Sequence, residues 1–165
     1  MATITGTSLN TRNSNLRSIA LGGMMVALLH LIVQDWLVFS LLGQTPFMIV
    51  TQYVASGAIG NAAFAGGLAT ALLGLAIHFL ISLIVAGVFI LGIDRFPLLR
   101  RNSIFGSLLY GIVVFVVLYY VVLPLSAAPP VPLHTMDIIE LILEHALVIG
   151  LPLGLFVRRK TKANN

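Results

Sequence analysis

The residues with chemical potential in this chain are few, and most sit inside long apolar runs. They are His30, Asp35, His78, Glu140, Glu144 and His145, with Gln34 as a neutral partner. A charged group at the centre of a bilayer costs roughly 2.5–3.5 kcal/mol on insertion scales, so such residues face a protein interior or water. Imidazoles and carboxylates together support three chemistries. The first is a proton or cation relay through Glu144, His145 and His30, a use that transporters make of acid–His chains. The second is a metal site with His30, His78, Glu144 and His145 as ligands. Di-metal bundles space such ligands as Glu-x-x-His, whereas Glu144 and His145 are adjacent and about 100° apart on an α-helix. The third is a haem held between His30 and His78 as axial ligands. Against all three stands a structural role, in which polar side chains hydrogen-bond across helices at about 0.6–2 kcal/mol each. Glu140 and Asp35 also lie near enough to an interface to be hydrated.

Spacing arranges these groups. Asp137, Glu140 and Glu144 follow i, i+3, i+7 and form one acidic stripe on a helix. His30 and Gln34 share a face at i, i+4, and Asp35 turns away from Gln34 by about 100°. At 1.5 Å of rise per residue, His30, Glu144 and His145 come out roughly 10–15 Å below the outer surface. Asp35 and Glu140 come out about 5–8 Å deep and His78 about 8–12 Å. The expected picture is a polar pocket open to the outside and sealed within.

The elements that position these groups are four membrane spans. All nine Lys and Arg residues occupy three short stretches: Arg12 and Arg17; Arg95, Arg100 and Arg101; and Arg158, Arg159, Lys160 and Lys162. Basic residues flanking spans are retained on the cytoplasmic side. Spans are therefore expected at about 18–42, 63–93, 104–123 and 136–157, with both termini cytoplasmic. Trp36 and Phe39, and Tyr119 and Tyr120, mark the outer interface. Gln44-Thr45-Pro46 breaks the first helix. The apolar run after it, about 14 residues, is too short to cross and predicts an interfacial or re-entrant segment. The small residues Ala62, Ala63, Ala65, Gly66, Gly67, Ala69, Ala71 and Gly74 predict close helix packing at the start of span two, or a surface for self-association. Pro152, between Gly150 and Gly154, should kink span four.

Composition agrees with this picture. Of 165 residues 59% are hydrophobic and 8% are charged, against roughly 25% charged in soluble domains. The mean hydropathy is +1.06. The fold class is thus an all-α membrane four-helix bundle, with residues 1–15 a flexible cytoplasmic tail, 16–158 the membrane domain and 159–165 a basic tail. Apolarity runs from Ile19 to Leu42 with no Ala-x-Ala after it, so the first span reads as uncleaved rather than as a signal peptide. The formal net charge of +4 does not point to nucleic acid, because the basic residues are dispersed at span ends. The bilayer is the expected partner, along with a second copy or a membrane complex.

Other chemistry is excluded or unremarkable. The chain has no Cys, hence no disulfide or thiolate site. Gly57-x-x-Gly60 and Gly66-Gly67 follow no strand and have no nearby Lys, so they are not phosphate loops. His134 reads as solvated in a Pro-rich loop, and Asp94 with Arg95 as a local charge pair. No catalytic residue or cofactor is assigned.

Several stretches form a family pattern: Tyr53-Val54-Ala55-Ser56-Gly57 with Gly60, Ala63-Phe64 with Gly66-Gly67, and Gly74-Leu75 with His78-Phe79. Pro97-Leu98-Leu99-Arg100-Arg101, Tyr110-Gly111 and Val122-Leu123-Pro124-Leu125-Ser126 continue it. His145 ahead of Gly150-Leu151-Pro152 completes it. Together, over residues 17–160, they resemble a group of small uncharacterised bacterial inner-membrane proteins related to the YagU-like proteins. The resemblance implies a bacterial inner membrane and a helical bundle. It draws attention to His78 and His145, which lie in the matching stretches, and assigns no catalytic residue. The function expected is that of an accessory or small-solute and ion-handling protein with an outward-facing polar pocket. The alternatives are a structural subunit of a larger complex or a haem- or metal-binding bundle.

Overall fold

The computed structural model describes residues 3–43, 45–93, 95 and 102–163. Most of them lie in five helical rods. Rod α1 is Thr3–His30, continued without a break by Leu31–Leu42, which is wound with i→i+5 bonding. Rod α2 is Phe47–Ile59, followed by the 3₁₀ turn Gly60–Ala65. Rod α3 is Gly67–Gly92. Rod α4 is Ser103–Val117, continued by the i→i+5 stretch Leu118–Val122 and a last turn, Leu123–Leu125. Rod α5 is Thr135–Glu144, the i→i+5 stretch His145–Gly150, and Leu151–Ala163.

Four segments are long and apolar enough to cross a membrane: Ser14–Leu42, Gly67–Gly92, Ser103–Leu125 and Thr135–Arg159. The 13 residues of α2 reach only about 20 Å, short of a bilayer core. Each long rod turns Leu, Ile and Val outward. On α3, Leu72, Leu80, Ile84, Val88 and Leu91 are exposed while Ala71, Gly74, His78, Ser82, Ala86 and Phe89 are buried. A helix with an apolar outer face and a mixed inner face suits lipid as its solvent.

Two boundaries differ from the sequence reading. Residues 3–15, expected as a flexible tail, continue α1 as helix. Extending an existing helix adds one bond per residue fixed, without a new nucleation cost, so weak helix formers can be carried along. Span two begins at Gly67 rather than near residue 63. Residues 60–65 form the 3₁₀ turn, and Gly60 and Gly67 take φ of 64° and 56°, values that favour glycine. The loop with Asp94, Pro97, Arg100 and Arg101 lies outside the described residues, as does the Asp94–Arg95 pairing.

The rods approach closely where side chains are smallest. A Cβ on Gly74 would collide with the Thr51 carbonyl of α2. A Cβ on Gly111 would collide with the backbone of His145 and Ala146, and one on Gly150 with the backbone of Ser107. Ala71 and Gly74 are therefore consumed within the chain, while Ala62, Ala65, Gly66 and Ala69 remain exposed. At the end near residues 93–102, a plug of Val26, Ala86, Phe89, Ile90, Ile93, Val114, Ile149 and Leu153 fills the bundle. Tyr110 stacks on Phe89 at 5.0 Å and donates its hydroxyl to the Val85 carbonyl at 2.7 Å. At the opposite end α2 joins α3 to the loop after α4, with the Ala127 N–H donating to the Gly57 carbonyl at 3.0 Å.

Candidate functional site: a His and carboxylate cluster beside a cavity

Between the plug and α2 lies a cavity of about 440 Å³, lined by residues of all five rods. Its walls are mainly aliphatic, and His30, Asp35, His78 and His145 form a polar band in them. All three stretches of i→i+5 winding contribute to its lining. Such departures from α-geometry occur often at functional sites.

Asp35, expected among the pocket residues although turned from Gln34, reaches the cluster through this winding. Bonding i→i+5 sets residues five apart over one another. Asp35 therefore sits beneath His30, with Oδ1 at 3.7 Å from His30 Nδ1. Gln34 also reaches the cavity, 1% exposed, with neither amide atom hydrogen-bonded to the protein. His78 approaches from α3, its Nδ1 at 3.8 Å from Asp35 Oδ2. Glu144 and His145 approach from α5 at the junction between the two windings. Glu144 Oε1 lies 3.7 Å from His30 Nε2, and Oε2 lies 2.5 Å from His145 Nδ1. The His30 ring is 5.2 Å from that of His78 and 5.7 Å from that of His145.

Glu140 does not join. It is exposed, although Leu141, Glu144 and His145 are buried. Glu140 is one residue, about 100°, off the Leu141 direction and falls on the outer flank of α5. Asp137, the top of the expected stripe, caps the rod by accepting the His134 N–H at 2.8 Å. His134 is exposed, as expected.

Two of the three imidazoles have their tautomers set by backbone. A carbonyl oxygen only accepts, so the ring nitrogen facing it carries the proton. His78 Nε2 donates to the Ala27 carbonyl at 3.0 Å and His145 Nδ1 to the Leu141 carbonyl at 2.9 Å. Neutral His78 thus offers a lone pair at Nδ1, toward Asp35. The commitment of His78 Nε2 and the 5.2 Å ring separation leave no plane for a porphyrin between His30 and His78. Among the described residues, neither Asp35 nor Glu144 pairs with Lys or Arg. His30 Nδ1 and Glu144 Oε1 are buried without a hydrogen bond to protein, and Glu144 Oε2 has only its close approach to His145 Nδ1.

Sequence reasoning missed Tyr119, which it placed at the interface with Tyr120. Tyr120 is exposed, but Tyr119 packs on Phe115 at 4.9 Å and on His145 at 6.1 Å. The signal was available: Gly111, Phe115 and Tyr119 follow i, i+4, i+8, and Gly111 is the point where α4 meets His145. Tyr53 on α2 also lines the cavity. Burial pushes its hydroxyl pKa up, and the hydroxyl donates to the Pro129 carbonyl at 3.3 Å.

The chain matches no family model, and no curated protein or solved structure is significantly similar to it.

Proposed function

We propose that this chain is a multi-pass protein of the bacterial inner membrane that handles a small cation or proton in a pocket reached from the outer face. The carrying observation is the convergence of three imidazoles and two carboxylates, from α1, α3 and α5, beside a cavity. Two carboxylates without a Lys or Arg partner are expensive in lipid. A protein that retains them gains from something they bind, and protons or cations are the species that neutralise them.

The orientation rests on the basic stretches. Arg17, Arg95, Arg158 and Arg159 lie toward the plugged end, and the positive-inside rule assigns the end that carries the basic stretches to the cytoplasm. The cavity end with α2 is then outside. The inner-membrane assignment rests on the resemblance to small bacterial inner-membrane proteins. The aliphatic plug favours binding or gated passage over an open pore.

The test is flux in proteoliposomes carrying a pH-sensitive dye. Wild-type protein should dissipate an imposed proton or cation gradient in a pH-dependent way, Glu144→Gln should slow it, and Glu140→Gln should not. If wild-type vesicles hold proton, sodium and potassium gradients as well as empty ones, the reading is wrong.

A further inference from the structure

We propose that His30, His78 and Asp35 form a 2-His-1-carboxylate site for one divalent first-row transition-metal ion, with Glu144 positioning His30 from behind. The proposal deepens the cation-handling reading by naming the class of ion and the atoms that hold it.

One ligating atom from each of the three residues lies within 4.8 Å of the other two. The two Asp35 oxygens are 3.7 Å from His30 Nδ1 and 3.8 Å from His78 Nδ1. Ligands at 2.0–2.2 Å in a tetrahedral shell sit roughly 3.4 Å apart. The two N–O separations, one to each Asp35 oxygen, are thus within a few tenths of an ångström of that spacing, and the three ligand atoms all lie within 4.8 Å of one another. The nitrogens are also in the right state. His78 Nδ1 is the lone-pair nitrogen because Nε2 donates to Ala27. His30 Nδ1 is buried without a hydrogen bond, and Nε2, on the far side of the ring, faces Glu144.

That arrangement is the one metal-bound histidines adopt, with the second ring nitrogen donating to a carbonyl or carboxylate that fixes the tautomer and strengthens the ligand. The Ala27 carbonyl accepts from His78 Nε2 in this way, and Glu144 Oε1, 3.7 Å from His30 Nε2, is placed to accept from it after a short approach. Consistent with a rear position, Glu144 is absent from the cavity lining, whereas His30, His78 and Asp35 are part of it. Three protein ligands leave further positions of the ion facing the cavity, open to water or a small ligand.

A second set, His30, Glu144 and His145, also meets the spacing. It shares His30, and one neutral imidazole offers only one lone pair. In that set the His145 nitrogen nearest Glu144 is Nδ1, which carries the proton given to Leu141 and has no lone pair to offer. One ion per chain is therefore the expected stoichiometry. The ligand set is nitrogen and oxygen without sulfur, which suits zinc, iron, cobalt or nickel better than calcium or magnesium.

The experiment uses full-length protein in mild detergent, stripped with chelator and titrated with Co²⁺ alone. One equivalent should bind and give a visible ligand-field spectrum that Zn²⁺ abolishes and Mg²⁺ leaves unchanged. Asp35→Asn should weaken Co²⁺ binding by at least about 100-fold. Glu144→Gln should retain the band but shift it and weaken binding about 10–100-fold, the range for outer-sphere partners. Glu140→Gln serves as the unaffected control, and the monodispersity of each variant reports folding. A folded wild type that takes up no Co²⁺, or Asp35→Asn binding as tightly as wild type, overturns the site. If Co²⁺ fails to bind while proton flux persists, the metal site falls and the transport reading stands. Stoichiometric Co²⁺ with no flux removes the transport reading alone.

Discussion

Gly111→Ala is expected to loosen the bundle and the site together. A Cβ at residue 111 would fall 2.9 Å from Ala146 Cα and closer still to the His145 carbonyl. These are backbone atoms of α5 at the start of its i→i+5 stretch, so no side-chain rotation relieves the overlap. The two rods must separate, and overpacking of this kind costs typically about 1–3 kcal/mol. An Ala also gains up to about 1 kcal/mol of helix propensity over Gly. Gly87→Ala provides the control, because its Cβ would meet Ile19 Cγ2 at 3.6 Å, an ordinary contact. The propensity gain is common to both variants and cancels in their difference. The difference then isolates the overlap, at about 1–3 kcal/mol, or roughly 5–150-fold in the folded-to-unfolded ratio. Unfolding by SDS titration from mixed micelles, followed by far-UV circular dichroism and Trp36 fluorescence, measures it. If Gly111→Ala and Gly87→Ala unfold at the same SDS fraction, the close contact of α4 with α5 is not what holds these rods in register. The same variant displaces His145, so Co²⁺ affinity and any flux should fall with stability, while Gly87→Ala leaves both intact.

Two further outcomes bear on the bundle. Tyr110→Phe removes the hydroxyl donated to the Val85 carbonyl and should destabilise by about 0.5–1.5 kcal/mol in the same titration; a larger loss would mean that Tyr110 holds more than this one contact. Because the chain has no native Cys, single-Cys variants at Leu125 and at Arg159 report orientation directly. An impermeant maleimide added to intact cells should label Leu125→Cys and not Arg159→Cys, and the reverse pattern would turn the pocket to the cytoplasm.

Much of the architecture was readable from residue order because lipid imposes simple rules. A backbone in hydrocarbon must satisfy its hydrogen bonds internally, so long apolar runs become helices of bilayer length. Hence the four long helices, the short helix after Pro46 and the polar residues on inner faces all followed from one-dimensional patterning. His30, Asp35, His78, Glu140, Glu144 and His145 were picked out because ionisable groups in apolar runs are costly. Patterning failed where helices departed from α-winding. The expectation that Asp35 turns away, and that adjacent Glu144 and His145 diverge, assumed 100° per residue. Wider winding in Leu31–Leu42 stacks Asp35 on His30, and at the Glu144–His145 junction both side chains enter one cluster.

By itself the sequence determined an all-helical chain, its candidate spans, and which few residues would have to be sheltered from lipid. Those follow from hydropathy and charge, which are properties of single residues summed along the chain. Only the tertiary structure decided that His30, His78 and Asp35 share one point, that Glu144 stands behind His30, and that Glu140 stays outside. Rod rotation and local winding set those relations, and both depend on close backbone contacts such as Gly111 on His145 and Gly74 on Thr51. A contact between distant segments balances packing over many residues, and no single residue type encodes it.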